Sequence, residues 1–186
     1  SMNLSADRQN FSEIEDGLYA EPSFFEIFSF SLLAGNSENA LAAPNSIVLS
    51  SSTSRQLFGS EDALGEALYW QKRDTVISLT VTGIIEDEPM RSSITYDAVI
   101  SFTTMDEDRR DPGAWNSYFL ATYVLLQSSE SFKSLPAKLD TLAQKQFGEA
   151  DGANAERSFF TIPLEEYHLS EDTNNSGFTG NRAYVY

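Results

Sequence analysis

Residues 24–30, FFEIFSF, place five phenylalanine or isoleucine side chains within seven positions of a chain whose formal charge is 12 − 28 = −16. Fully burying each of these side chains is worth about 2 kcal/mol, so the segment must be covered. Glu21-Pro22-Ser23 immediately before it can open a helical turn, with proline near the first helical position. That turn carries Phe24, Phe25, Ile27 and Phe28, and a strand follows it. The expected burial of Phe24, Phe25, Phe28 and Phe30 is beneath a sheet or between two lobes. At 186 residues the chain has the length of one domain or two small lobes, enough for a core without metal or disulfide staples.

Strands account for most of the remaining pattern. FSEIEDGLYA reads as a strand broken at Asp16-Gly17, and NSIVLS, residues 45–50, after Pro44 as a compact β-branched strand. SSTSRQLFG offers hydroxyl N-caps and ends on Gly59, suited to the left-handed residue that closes a helix. VISLTVTGII is expected to turn Ile77, Leu79, Val81 and Ile85 to one face, and ITYDAVISF to turn Ile94, Tyr96, Ala98, Ile100 and Phe102 to one face. YFLATYVLLQ, residues 118–127, is apolar on both faces and reads as a strand inside a doubly covered sheet. Phe132, Leu135, Leu139, Leu142, Ala143 and Phe147 recur at helical spacing up to Gly148. Pro136 belongs in a first turn, which places that helix's start near Ser134. SFFTIPL then returns as a strand, making residues 118–164 a β-α-β unit whose strands are expected to be parallel neighbours.

Chemistry is sparse. There is no cysteine, hence no disulfide, thiol nucleophile or zinc-thiolate site, which fits cytosol or periplasm equally. The acidic balance argues against nucleic acid as a partner. His168 is the single histidine; no G-x-S-x-G, S-x-x-K or phosphate-cradling glycine pattern occurs, so no catalytic residue and no cofactor is assigned. Glu165 and His168 make one E-x-x-H spacing where a di-iron bundle needs two, and His168 reads as a surface residue. Asp172, Asn174, Ser176 and Gly177 match the first half of a calcium loop. The twelfth position is Ala183 instead of a bidentate glutamate, so these are weak calcium candidates in a solvated loop. The acidic runs at Glu86–Glu88 and Asp106–Asp108 read as solvated loops. Trp70, Trp115, Tyr118 and Tyr123 are the aromatic side chains that would line a groove, against the commoner reading of core packing. No apolar run reaches the roughly 20 residues of a spanning helix. Ser1-Met2 reads as a protease scar ahead of an excised piece of a longer protein.

An ordered series of short matches then runs from Leu18 to Phe102: F-F-x-x-F-x-F-x-L-L-x-G, the SIVLS strand, a helix ending L-F-G, a D-x-L-G turn, and V-T-G-I before an acid and proline. In that order the series resembles the periplasmic core domain of MacB-like, FtsX-type ABC transporter permeases. The resemblance implies an α+β fold of mixed sheets with short helices, a β-α-β membrane-proximal lobe and an inserted outer lobe. By similarity, residues 1–33 end a first membrane-proximal unit, 34–116 form the outer, sabre-like lobe, 117–168 a second, porter-like β-α-β unit, and 169–186 lead to a second transmembrane helix. The implied function is non-catalytic: an extracytoplasmic domain that couples ATP hydrolysis by a separate cytoplasmic ATPase to export or to work on a periplasmic partner. Implied partners are the cognate ATPase, a permease homodimer and a periplasmic adaptor or lipoprotein. Candidate partner contacts are Asp106, Asp108 and Trp115 in one loop and Ser60 and Asp62 in the turn between Gly59 and Gly65. A secreted carbohydrate- or calcium-binding module is the alternative class.

Overall fold

The structure is a computed structural model that describes residues 1–87, 94–106, 120–147, 159–164 and 182–185. The chain divides into two compact units, Ser1–Asp111 and Pro112–Tyr186. The first holds β1 (Met2–Ser5), β2 (Ser12–Ile14), β3 (Gly17–Ala20), α1 (Phe24–Ile27), β4 (Leu32–Gly35), β5 (Ser46–Ser50), α2 (Ser51–Phe58), β6 (Ala67–Lys72), β7 (Thr75–Ile85) and β8 (Ala98–Ser101). Its strands form one mixed sheet in the order β2-β1-β6-β7-β5-β8-β3, with β4 also paired to β7. β5 runs parallel to β7 and β3 parallel to β8, while the other pairs are antiparallel. The expected α+β class with mixed sheets is what the chain adopts.

The sheet is covered on both sides, which explains why all five residues of β5 and all four of β8 are buried. Ile47, Leu49, Ala98 and Ile100 point into one core, closed by Leu57 and Phe58 of α2. Val48 and Val99 point into the other, closed by Phe24 and Phe25 of α1 and by Ala40 and Leu41. The FFEIFSF segment is therefore the lid of the second core. Phe24 packs against Phe25, Phe28 and Phe30 at ring separations of 5.3, 5.1 and 5.4 Å, and Phe30 meets Tyr96 edge-on at 5.2 Å. Such pairs add to the area term. β4 joins the same sheet as β1–β3.

β7 departs from simple alternation. Ile47 is opposite Val81 and Val48 is opposite Gly83, so Thr82 is an extra residue, a β-bulge. Ile77, Leu79 and Val81 share the first core as expected, but beyond the bulge Ile84 joins them and Ile85 is turned into the second core. The expected grouping of Ile85 is thus corrected, because one inserted residue exchanges the faces of everything after it. The bulged Thr82 hydroxyl donates to the Ala40 carbonyl at 2.6 Å. β4 has its own extra residue, Leu33, between the pairs Leu32↔Ile85 and Ala34↔Ile84, and its side chain is 53% exposed. A second correction concerns ITYDAVISF: only Ala98–Ser101 is strand. Ile94 and Tyr96 approach the second core while Ala98 and Ile100 face the first. The Asp97 amide donates to the Asp16 carbonyl at 2.7 Å, and the ladder begins only after it. β1 and β6 are absent from the sequence reading; in β6 the run Leu-Tyr-Trp blurs alternation, although Leu68 and Trp70 face the first core. Met2 is buried within β1.

The second unit holds β9 (Thr122–Val124), α3 (Ser129–Phe147), β10 (Phe160–Pro163) and β11 (Arg182–Val185) in a parallel sheet ordered β10-β11-β9. Three expectations change here. β9 and β10 are parallel but not neighbours, because β11 lies between them. The strand expected over residues 118–127 is three residues long and forms an edge, with Leu120 and Leu125 exposed; residues 118 and 119 lie outside the described residues. The helix starts at Ser129, with Pro136 in its interior. Proline there cannot donate to the Phe132 carbonyl. Half-buried Phe132, Leu135 and Leu139 and buried Ala143 form one stripe that holds the turns on both sides of it.

The bulge sets a requirement on glycine. Gly35 has φ +97°, and a side chain there would collide with the Thr82 carbonyl and come within 2.9 Å of the Gly83 Cα. Gly59, at φ +71° with open space around it, carries only the conformational cost. Gly35→Ala is expected to lower unfolding stability by about 2–4 kcal/mol and Gly59→Ala by about 1 kcal/mol, read from urea midpoints.

Candidate functional site

The turn from Gly59 to Gly65 is built by its neighbours. α2 begins at Ser50, whose hydroxyl accepts from the Thr53 amide at 3.2 Å, and ends at the left-handed Gly59, whose amide donates to the Arg55 carbonyl at 2.9 Å. The chain then folds back onto the helix. The Ser54 hydroxyl donates to the Ser60 carbonyl at 2.8 Å, the Asp62 amide to the Ser60 hydroxyl at 3.0 Å, and the Gly65 amide to the Val81 carbonyl at 2.8 Å. Ala63 is fully buried beneath it, while Leu64 is 45% exposed. Ser60 and Asp62 thus sit on a turn fixed from within.

Arg55 joins this turn to the end of β7. Its guanidinium reaches Glu61 at 2.9 Å and Asp87 at 3.3 Å. Asp87 also accepts the Ser52 amide at 2.8 Å, in the first turn of α2. Burial raises the Asp87 pKa, but the Ser52 amide, the Ser52 and Ser51 hydroxyls and the Arg55 charge outweigh it and hold the carboxyl below its ordinary value. The acidic run at Glu86–Glu88 was read as solvated loop; Asp87 instead serves a helix N-terminus, where negative charge is favoured. Glu88 lies outside the described residues.

A second ion pair fixes Asp106, whose carboxylate meets Lys72 Nζ at 2.6 Å; the same ammonium lies 5.3 Å from the centre of the Trp70 ring. Trp70 also packs against Tyr19, with ring centres 6.1 Å apart. Trp70 is therefore spoken for by the first unit, while Tyr123 belongs to β9 in the second. At the β1–β2 turn, Asp7 accepts the Asn10 and Gln9 amides, each at 2.8 Å, together with the Asn10 side chain and the Ser5 hydroxyl, which hold its carboxyl well below the usual range. The neighbouring Arg8 guanidinium lies 4.2 Å from the Tyr69 ring centre.

Of the sequence-derived candidates, Ser60, Asp62 and Asp106 lie in the first unit. Asp108, Trp115, Tyr118, Glu165, His168, Asp172, Asn174 and Ser176 lie outside the described residues. Among the described residues no cluster of His, Asp or Glu could hold a metal ion, and no helix is long and apolar enough to cross a membrane. Arg55 and Lys72 escaped the sequence reading because their acids are 6 to 34 positions away in the chain.

The family profile of the MacB-like periplasmic core domain matches residues 2–142. The chain belongs to this family. It is a periplasmic domain of the MacB-like ABC permease type. Two solved structures are similar to it. A domain of a protein described as a permease from Porphyromonas gingivalis is 30% identical over 57% of this chain and 43% of its own, at a TM-score of 0.48. The periplasmic region of MacB from Actinobacillus actinomycetemcomitans is 17% identical over 76% of this chain and 63% of its own, also at 0.48. The chain thus spans less than two thirds of either. No curated protein matches it. Within the MacB-like domain, the V-T-G-I motif holds the bulge in the β5–β7 ladder, and the L-F-G motif is the closed end of α2.

Because the folded-state pKa of Asp87 is depressed, its contribution is present above the ordinary aspartate range and is lost as pH falls through the folded value. The side chain is 45% exposed, so solvent screens it. Asp87→Asn is expected to cost about 0.5–1 kcal/mol at pH 7, a difference that narrows as pH falls below the ordinary aspartate range, measured by urea unfolding across a pH series.

Proposed function

We propose that this periplasmic domain is a non-catalytic transmission element: ATP hydrolysis by a separate cytoplasmic ATPase moves the permease helices, and the domain converts that motion into export or into work on a periplasmic partner. The observation that supports it is the family match over residues 2–142, three quarters of the chain. The rigid turn carrying Ser60 and Asp62, and Asp106 together with Asp108 and Trp115, which lie outside the described residues, are assigned to contact an adaptor or a lipoprotein. A turn fixed by internal hydrogen bonds loses little entropy when a partner binds, which favours it as a contact. The partners in this reading are the cognate ABC ATPase and a second permease copy.

The test uses the full-length protein in its native reading frame. Hydrophobic runs of about 20 residues on both sides of this stretch are expected, and the detergent-extracted protein is expected to co-purify with an ABC ATPase. Deleting the domain is expected to spare that association and the basal ATPase rate while abolishing the transported or transmitted output. A full-length protein with a secretion signal, no spanning helices and no ATPase partner would overturn the reading.

A further inference from the structure

We propose that the outer face of β1, β6 and the first half of β7 is a protein-contact surface, centred on Arg8 and Tyr69, whose partner sets a carboxylate against the Arg8 guanidinium. Over these strands one side of the sheet is covered: Leu4, Leu68, Trp70, Ile77 and Leu79 face the first core, and by alternation Asn3, Tyr69, Gln71, Ser78 and Thr80 face the other way. Strand pairing lays the outer residues in two rows, Asn3–Gln71–Val76 and Ser5–Tyr69–Ser78. Asn3, Val76, Ser78 and Thr80 are exposed, while Tyr69 and Gln71 are half-buried. In a chain that is 22% charged, neither row holds a charged residue; Glu13, opposite Asn3, stands at the margin on β2. Charge depletion around a tyrosine and an arginine is the composition found at the centre of protein interfaces.

Arg8 reaches this face from the β1–β2 turn. Its φ of 65° is a left-handed angle that disfavours an ordinary side chain. The turn imposes it through Asp7, whose carboxylate is taken up by the Gln9 and Asn10 amides, the Asn10 side chain and the Ser5 hydroxyl. The Arg8 guanidinium then lies 4.2 Å from the Tyr69 ring centre. Among the described residues no carboxylate pairs with it, although the first unit is rich in acids and Arg55 and Lys72 are both ion-paired. A guanidinium already held against a ring loses little further freedom when its N–H donors take a carboxylate in two parallel bonds. Because the residues around it are uncharged, the fitting partner carries one carboxylate among hydrogen-bonding groups; a broadly acidic surface would be repelled by the chain's overall charge. This surface goes beyond the proposed function and does not depend on it.

The test is an NMR titration of the whole chain with a terminally capped Ser-Thr-Glu-Thr-Ser peptide, whose glutamate is its only charge, beside the same peptide with glutamine. Saturable shifts are expected at the Arg8 Nε–H and at the Tyr69 and Gln71 amides, with binding about fivefold weaker for the glutamine peptide and for Arg8→Gln, and weaker at high salt. Asparagine accepts the left-handed angle more readily, so Arg8→Asn is expected to lose the peptide while its urea midpoint is no lower than the parent's. No saturable shift on this face, equal binding of the two peptides, equal shifts at Arg55 and Arg73, or retained binding in Arg8→Gln would each overturn the surface. A lower midpoint in Arg8→Asn would overturn it by making the Arg8–Tyr69 contact a structural one. Saturable shifts with cellotetraose and none with the peptide would overturn it in favour of a glycan face.

Discussion

The extra residue at Thr82 is the constraint on which the first unit depends. β7 is eleven residues long and has partners on both sides: β5 along one flank, β6 and then β4 along the other. Before the bulge only one face of the strand is buried, through Ile77, Leu79 and Val81, while Val76, Ser78 and Thr80 are exposed; strict alternation would send Ile85 to the same core as Val81. Inserting Thr82 sends Ile84 into the first core and Ile85 into the second, and the displaced hydroxyl binds the Ala40 carbonyl. Gly83 gives β4 and β5 room to approach, and Gly35 supplies the backbone angle that lets β4 meet the bulge. The phenylalanine-rich segment then has somewhere to go: the face that the bulge turns toward it.

Charge organises the periphery of that sheet. Among the described residues of the first unit, fifteen acidic side chains face four basic ones, a balance of 4 − 15 = −11. Three of the four cations hold segments far apart in sequence or a ring: Arg55 on Glu61 and Asp87, Lys72 on Asp106 and Trp70, Arg8 on Tyr69. Exposed ion pairs contribute little singly. Their placement matters more: Arg55, in the last turn of α2, ties that helix to the turn after it and to the end of β7, and Lys72 ties the β6–β7 hairpin to the chain after β8.

Much of this was legible in the sequence, and the failures have physical causes. α1, β5 and α2 follow from punctuation the chain carries locally: Pro22, Pro44 ahead of β5, and Gly59 in its left-handed conformation. The family motifs were visible as strings, but the reason for V-T-G-I is a register shift between strands, which no local pattern reports. Tyr118–Gln127 looked like a central strand because its residues are apolar; centrality depends on β11, a segment about 60 residues downstream in the chain. The start of α3 was misplaced because the cost of Pro136 was weighed without the stripe from Phe132 to Ala143 that offsets it. The turn at Ser60 and Asp62 was locatable from its glycines, whereas Arg55 and Lys72 act on acids that only the fold brings close.

β7 and the strand at the sheet margin, β3, also differ in how they would yield under force. Pulled along its axis, β7 would strain the ladders to β5, β6 and β4 together, so its hydrogen bonds would share the tension and fail as a group. Among the described residues β3 is paired only with β8, a single ladder that a pull across the strands would open one bond after another. The same sheet is therefore stiff in one direction and tearable in the other, with the stiff axis along the strand that contains the bulge.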